Sequence, residues 1–239
     1  MRICTVVIMH GERRSAARAS SADFRTPDHR TTVLTALDSL RRLQAGNARF
    51  ASNVRGLESF LTQERRAELA KQQAPHAIIL GCSDSRVPAE IIFDQGLGDL
   101  FVIRVAGNIV APSQVGSVEY GVEQFGTRLV VVLGHSQCGA ILATLDELQR
   151  PAENQSRNLR SIVDRVRPSV AALLDTELRD DRDALVSHAV RANIRTSVDH
   201  LRHGSDVLEQ LIMRDGLLVV GAEYSLETGH VDFFDGVPE

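Results

Sequence analysis

Four short runs made only of apolar residues constrain the fold more than any other feature of this chain. They lie at 77–80, 100–103, 129–133 and 217–220, and a glycine directly follows three of them. Continuous apolar runs of this length are typical of strands buried on both faces, as in a parallel sheet. A further stretch at 231–234 follows a Thr-Gly pair and is expected to form a hairpin with the fourth run. We therefore predict four parallel strands and an antiparallel strand at the C-terminal edge.

Helical patterns separate these strands and indicate the fold class. Between the third and fourth runs, helices are predicted at 140–148, 159–174, 184–201 and 207–213. Strands that alternate with helices indicate an α/β fold, in which helices flank a mostly parallel sheet. The sequence contains no repeat and no clear linker, so residues 31–239 are predicted to form one domain. Residues 1–30 are expected to be a disordered tail.

Two helices are predicted before the first strand. Apolar residues at helical spacing over 34–50 predict a first helix, with Thr31 or Thr32 as its N-cap and an interruption at Gly46. A second helix is expected over 62–73, because a proline follows two residues later.

Three potential metal ligands lie where the first and third strands end. Cys82 follows the first strand, His135 follows the third, and Cys138 begins the next helix. Because the carboxyl ends of parallel strands meet at one edge of the sheet, these residues should converge there. Two thiolates and an imidazole favour zinc, and three protein ligands are the number that a catalytic zinc site uses. The sequence therefore predicts a zinc site that activates water.

Asp84 and Arg86 follow the first thiol closely. Two thiolates nearly cancel the charge of Zn²⁺, so water in such a site needs a carboxylate that accepts its hydrogen bond. Arg86 could hold Asp84 ionised through a bidentate pair. Two alternatives remain open: an ordinary ion pair that shapes the loop, or Asp84 as the fourth ligand of a closed, structural zinc site.

Composition excludes several other classes of protein. A net charge of -4 provides no basic excess for nucleic acid, and no apolar run approaches the roughly 18 residues of a membrane helix. Three cysteines are too few for a disulfide framework, so reduced thiols and a cytoplasmic location are expected. Gly96-x-Gly98 lacks a third glycine and precedes a strand, which argues against a dinucleotide site. No Cys-x-x-Cys pair exists to support thiol redox chemistry.

The two ligand motifs together resemble the β-class carbonic anhydrases. They read CSDSR at 82–86 and HSQCG at 135–139. The segments between them, DLFVIR at 99–104 and AGN at 106–108, extend the resemblance. It spans about 31–234, and the pair of ligand motifs is highly specific.

The resemblance implies one Zn²⁺ per subunit, held by Cys82, His135 and Cys138, and a catalytic dyad of Asp84 and Arg86. A zinc-bound hydroxide oriented by the dyad would hydrate CO₂ reversibly to bicarbonate and a proton. Asp84 is also expected as a conditional fourth ligand at low pH. It also implies that the helices before the first strand form an N-terminal arm that grips a second subunit, in a homodimer or a dimer of dimers.

The resemblance also implies a substrate pocket. Gln73, Phe101 and Tyr120 match its residues, which the partner subunit would contribute. Each also has a structural explanation: a polar helix end, a residue of the second strand and a helix-packing residue. Ile79 and Ser136 stand where a second type of the family has Trp and Tyr, so no inhibitory bicarbonate site is expected.

Two alternative functions remain open from the sequence. A carbonyl sulfide or carbon disulfide hydrolase could use the same constellation, because the attack on carbon is similar. A zinc-stabilised scaffold without turnover is the second, although intact Asp84, Arg86 and Gln73 argue against it. No proton shuttle is identified, and His76 is a candidate only through its closeness to Gln73.

Overall fold

The computed structural model describes three stretches of the chain, residues 34–54, 63–150 and 156–238. The predicted tail at 1–30 lies outside these stretches, as do Thr31, Thr32 and the first residue of the predicted second helix. No helix in the described stretches is both long enough and apolar enough to cross a membrane.

Five strands form one mixed sheet. They are β1 (Ala77–Gly81), β2 (Leu100–Arg104), β3 (Leu129–His135), β4 (Leu218–Tyr224) and β5 (Val231–Asp235). Their order is β2-β1-β3-β4-β5. The first four strands are parallel, and β5 pairs antiparallel with β4 at the edge. This arrangement confirms the predicted α/β class, with a mostly parallel sheet and an antiparallel C-terminal edge strand.

Helices cover both faces of the sheet. The described α-helices are α1 (Ala36–Ala51), α2 (Gln63–Leu69), α3 (Ala89–Ile92), α4 (Pro112–Phe125), α5 (Gly139–Gln149), α6 (Arg157–Val170), α7 (Arg182–His203) and α8 (Asp206–Arg214). Short 3-10 turns occupy Ala106–Asn108, Ala171–Asp175 and Glu177–Asp180. α1 and α3 contact each other, and α1 also contacts β1 and β3. α7 contacts β3 and β4 and packs against α5, α6 and α8.

Alternating side chains of the strands build two cores, one on each face of the sheet. In β1, Ile78 and Leu80 join the core that includes α5 to α8, whereas Ala77 and Ile79 join the core that includes α1. All five residues of β1 and all seven of β3 are buried. A strand with both faces covered has no polar face, which is why these segments are continuous apolar runs.

The N-terminal helix corrects two predictions. α1 is capped by Thr35, whose hydroxyl accepts a hydrogen bond from Asp38 N at 3.1 Å, so the predicted cap at Thr31 or Thr32 was wrong. The helix also passes through Gly46 without interruption. A Cβ at this position would lie 1.8 Å from Phe93 O, so the glycine permits close contact with α3 and does not break the helix.

Other helices differ from their predicted bounds. α2 ends at Leu69, short of the predicted 73. α6 ends at Val170, short of the predicted 174, with Pro168 inside its last turn, and it continues only as a 3-10 turn. The sequence prediction did not include α4, although Pro112 begins it and Gly126 ends it in the left-handed conformation. These two residues are ordinary start and stop signals for a helix.

Candidate metal centre and active site

The carboxyl ends of β1 and β3 bring three metal-ligating side chains together. Cys82 directly follows β1, His135 is the last residue of β3, and Cys138 is the N-cap of α5. Their ligand atoms all lie within 4.8 Å of one another, and the two sulfurs are 4.0 Å apart. All three side chains are buried. The structure therefore places the three ligands predicted from the sequence in one cluster.

His135 is oriented by its own backbone surroundings. Strand β3 is longer than predicted and includes His135, which pairs with Tyr224 of β4. Its Nδ1 lies 2.9 Å from Ser136 O, an arrangement in which Nδ1–H donates to the carbonyl. Ser136 N in turn donates to Tyr224 O at 2.9 Å. Donation from Nδ1 leaves the lone pair of Nε2 free for a metal.

The chemistry of the ligand atoms fits a soft or borderline cation. His135 Nε2 is fully buried and makes no hydrogen bond within the described part of the chain. Hydrogen bonding from the Cys138 thiol is the main cause that lowers the pKa of Cys82, with smaller contributions from the neighbouring His135 and from Gly107 N–H. The hydrogen bond to Cys82, followed by burial, raises the pKa of Cys138. Ionising both sulfurs together therefore calls for a cation between them.

Asp84 and Arg86 form a bidentate pair beside the cluster. Arg86 Nε donates to Asp84 Oδ1 at 2.9 Å, Nη2 donates to Oδ2 at 2.8 Å, and Arg86 N also donates to Oδ1 at 3.0 Å. The hydrogen bond from the Arg86 side chain is the main cause that lowers the pKa of Asp84 well below its usual range. Asp84 Oδ2 lies 3.9 Å from His135 Nε2, so an ionised carboxylate faces the cluster.

Sequence reasoning did not recognise a role for Arg104. This last residue of β2 donates from Nε to Cys82 O at 3.0 Å and from Nη2 to Asp84 O at 2.6 Å. Its guanidinium therefore ties the loop that carries a ligand and the dyad to the neighbouring strand. An arginine at the carboxyl end of a strand adjacent to β1 was the available signal, but the register that aligns Arg104 with Gly81 is a tertiary feature.

Comparison with known proteins agrees with this geometry. A family model described as "Carbonic anhydrase" matches residues 77–231. The carbonic anhydrase of Mycolicibacterium smegmatis is 40% identical over 192 residues, which cover 80% of this chain and 90% of that protein. Carbonic anhydrase 2 of Mycobacterium tuberculosis is 38% identical over 199 residues, which cover 82% of this chain and 92% of that protein.

Solved structures show which class of carbonic anhydrase this is. The β-carbonic anhydrase CafA of Aspergillus fumigatus matches with a TM-score of 0.65 at 26% identity, over 74% of this chain and 83% of that one. A tetrameric β-carbonic anhydrase of Sordaria macrospora matches with a TM-score of 0.62 at 27% identity, over 71% and 85%. This chain belongs to the β-carbonic anhydrase family. Its activity is the reversible hydration of CO₂, and neither the sulfur-substrate hydrolase nor the inert scaffold is favoured.

The three residues matched to the family's substrate pocket lie away from the metal cluster of their own chain. Gln73 is exposed and precedes β1, whereas Cys82 follows β1. Phe101 of β2 aligns with Ile78, four residues before Cys82, which is about 13 Å along the strand. Tyr120 of α4 lies with its ring centroid 6.0 Å from that of Phe101 and is 53% exposed.

Phe125 completes an aromatic cluster that sequence reasoning missed. Its ring centroid lies 5.7 Å from that of Phe101 and 5.8 Å from that of Tyr120, in an edge-on arrangement with the tyrosine. Five positions place Tyr120 and Phe125 on different sides of a helix, so their spacing gave no signal, and α4 itself was not predicted. The cluster holds the rings of Phe101 and Tyr120 in a fixed relation to each other.

Two further positions take structural roles. Ser136, which stands where the second type of the family has Tyr, donates from Oγ to Glu227 Oε2 at 2.9 Å and accepts from Leu226 N at 3.0 Å. It thereby joins the turn after β3 to the β4–β5 hairpin. His76 is buried, its Nε2 lies 2.9 Å from Gln95 Oε1, and burial lowers its pKa. A buried imidazole at the start of β1 is poorly placed to exchange protons with buffer.

Proposed function

We propose that this chain hydrates CO₂ with a zinc ion held by Cys82, His135 and Cys138. The observation that carries the proposal is the buried cluster of three ligand atoms within 4.8 Å of one another. Two thiolates and an imidazole suit zinc better than magnesium, calcium or manganese, which prefer oxygen ligands. When bound there, zinc supplies Lewis-acid activation of a water molecule for attack on CO₂.

Asp84 and Arg86 form the catalytic dyad of this proposal. Asp84 is ionised at neutral pH because Arg86 donates both side-chain hydrogen bonds of a bidentate pair. Its Oδ2 faces the cluster at 3.9 Å from His135 Nε2. From this position the carboxylate accepts a hydrogen bond from the reacting water and turns a lone pair of the water oxygen toward CO₂.

The same contacts define when Asp84 could become a fourth ligand. The carboxylate would have to give up the bidentate pair with Arg86 before turning onto the metal. As long as that pair is intact, Asp84 would be held for the reacting water and would not bind the metal, which is what a catalytic site requires. We therefore propose two alternative arrangements of Asp84: paired with Arg86 in the active dyad, or released from Arg86 and bound to the metal at low pH.

The substrate pocket is proposed to form between two subunits. Gln73, Phe101 and Tyr120 would reach the cluster of the partner chain, where Gln73 donates a hydrogen bond to a CO₂ oxygen. The support is their position away from their own cluster and the large exposed fraction of Tyr120, 53%. The structural relatives from Sordaria macrospora are described as tetrameric. A homodimer, or a dimer of two dimers, is thus the proposed functional unit.

A cytoplasmic location completes the proposal. Cys82 and Cys138 lie with their sulfurs 4.0 Å apart and are both free thiols. Thiolate ligands persist where thiols are kept reduced, as in the cytoplasm. Fractionation of cells that express the natural protein, followed by detection with an antibody, checks this point.

The deciding experiment combines metal analysis with a CO₂ hydration trace. Purified full-length protein should contain one zinc per chain by elemental analysis and should accelerate CO₂ hydration in a stopped-flow assay. Removal of zinc with a strong chelator should abolish that rate, and zinc should restore it. Folded protein that carries no stoichiometric metal, or whose rate is unaffected by chelation, would contradict the proposal.

A further inference from the structure

A buried 3-10 turn at Ala106–Asn108 directs a backbone N–H at one metal ligand. Gly107 N donates to Cys82 Sγ at 3.4 Å. The turn has an unusual backbone: φ is 72° at Gly107 and 42° at Asn108. A Cβ at Gly107 would lie 3.0 Å from Ala140 Cβ. Asparagine is one of the few non-glycine residues that adopt the left-handed region readily, so Asn108 suits this turn, and contacts from outside the turn add to its stability.

Helix α7 supplies those contacts through two buried polar side chains. Asn193 Nδ2 donates to Gly107 O at 2.8 Å, and Ser197 Oγ donates to Asn108 O at 3.0 Å. They lie one helical turn apart and are only 2% and 3% exposed. Burying an amide and a hydroxyl costs free energy unless they are hydrogen-bonded. Both side chains direct their donors to the same three-residue turn, so α7 holds its backbone at two consecutive carbonyls.

The same helix reaches the strand that carries the imidazole ligand. A Cβ at Gly134 would lie 2.5 Å from Ile194 Cδ1, so the residue before His135 must be small for α7 to pack this closely. Ile194 directly follows Asn193 in α7. One helix therefore supports the strand end at His135 and, through Asn193, the turn that faces Cys82.

We propose that Asn193, assisted by Ser197, is a positioning residue of the metal centre. Asn193 touches neither metal nor substrate, and it acts through the Gly107 carbonyl. By fixing the 106–108 turn, it keeps the Gly107 N–H on the Cys82 sulfur. That hydrogen bond orients the thiolate and draws electron density from it, as groups around metal ligands commonly do. The inference rests on the proposed function, because it concerns the ligand set assigned there.

The test compares Asn193→Leu with a matched control in the same helix. Leucine is similar in size to asparagine but cannot donate to Gly107 O. Val190→Ala is the control. Val190 is a buried residue of α7, so this substitution removes packing contacts but no hydrogen bond to the turn. Both variants are loaded with Co²⁺, and denaturant unfolding confirms that each is folded. Two readouts follow: the rate of cobalt transfer to a chromophoric chelator and the thiolate-to-cobalt charge-transfer band.

We expect Asn193→Leu to release cobalt at least about tenfold faster than the parent, as is usual when a group supporting a metal ligand is lost. Its charge-transfer band should move to longer wavelength, because the Cys82 sulfur loses a hydrogen bond that stabilises its lone pairs. Val190→Ala should keep the parent band and the parent release rate within a factor of about two. If Asn193 contributed only packing, the release rate and the charge-transfer band would change in the same way in both variants.

An Asn193→Leu protein with the parent release rate, or with an unchanged charge-transfer band, would overturn the inference. If this variant does not fold, Ser197→Ala replaces it and should shift both readouts in the same direction by a smaller amount; no shift overturns the inference equally. A parent protein that binds neither cobalt nor zinc contradicts the proposed function. A parent that binds metal and hydrates CO₂, beside a variant without any spectral change, contradicts only the role of Asn193.

Discussion

The metal cluster and the aromatic cluster differ in how much of a working site one chain can supply. Cys82, His135 and Cys138 are buried and lie together at the carboxyl ends of two adjacent parallel strands. Phe101 of β2 lies about 13 Å before that end of the sheet, and Tyr120 of α4 packs against its ring. The chain therefore assembles its candidate ligands by itself, whereas the proposed pocket residues would need a second copy of the chain to meet a metal site.

This contrast follows from the direction of the strands. In a parallel sheet every carboxyl end lies at one edge, so residues that follow strands β1 and β3 must meet. Gln73 precedes β1 and Phe101 lies within β2, so the same rule separates both from Cys82. Variants of the two clusters should accordingly differ in whether metal is retained and in whether a second chain can rescue them.

The largest expected effect is loss of a thiolate ligand. Cys138→Ser should lower zinc content from about one per chain toward zero, and CO₂ hydration should fall with it to the uncatalysed rate. Elemental analysis and stopped-flow assays measure the two quantities on the same sample. The third cysteine, Cys4, lies outside the described residues, so Cys4→Ser is the control thiol variant and should retain both. A Cys138→Ser protein with full zinc content would remove this residue from the ligand set.

Loss of the dyad carboxylate should separate metal binding from turnover. Asp84→Asn is expected to retain zinc while turnover near neutral pH falls about 10²–10⁴-fold, the range for a positioned proton acceptor. The amide can no longer accept the hydrogen bond of the reacting water as an anion does. Hydration at the parent rate across pH 6–9 would show that Asp84 has no catalytic role.

A smaller loss is expected from Gln73→Ala, about 10²–10³-fold, as for one hydrogen bond to a developing oxyanion. This variant also allows a complementation test with Cys82→Ser. Gln73→Ala and Cys82→Ser should each retain at most about 1% of the parent activity alone, but a mixture refolded together should recover roughly a quarter of it. In a two-fold symmetric dimer, half of the molecules are mixed and each contains one intact site. If the mixture stays as inactive as its parts, Gln73 does not act across the subunit interface.

The smallest effect concerns acid titration of the dyad. Arg86 lowers the pKa of Asp84, so the pair contributes stability that is present above the ordinary aspartate pKa of about 4 and is lost as pH falls through the lowered value. Arg86→Gln should raise the pKa of Asp84, which carbon-detected NMR can follow. The stability curve of the variant should also depend less on pH below about 4. An unchanged Asp84 titration would argue against the bidentate pair.

Sequence reasoning predicted the strands well because burial on both faces leaves a direct signal. Each predicted apolar run matches a strand within a few residues, and β3 extended to His135 through pairing with β4. Helices were less well determined. α4 was missed because its apolar periodicity is weak, although Pro112 and Gly126 mark its ends. Gly46 was misinterpreted because a close approach to Phe93 O leaves no trace in the local sequence.

For the candidate site, too, some features were predictable from the sequence and others were not. Ligand identity, the dyad and the family were all readable from residues that lie within five positions of a strand end. The orientation of those groups was not, because Arg104 holds Cys82 O from 22 positions away and Asn193 holds Gly107 O from 86 positions away.

The sequence by itself determined which atoms can bind a metal and that two parallel strands deliver them to one edge. Only the tertiary structure decided which lone pair of His135 is free, which backbone N–H faces Cys82, and that Gln73 lies at the other end of β1. The physical reason is that residue type and strand direction are local properties, whereas hydrogen-bond partners depend on register and on helix packing across the whole sheet.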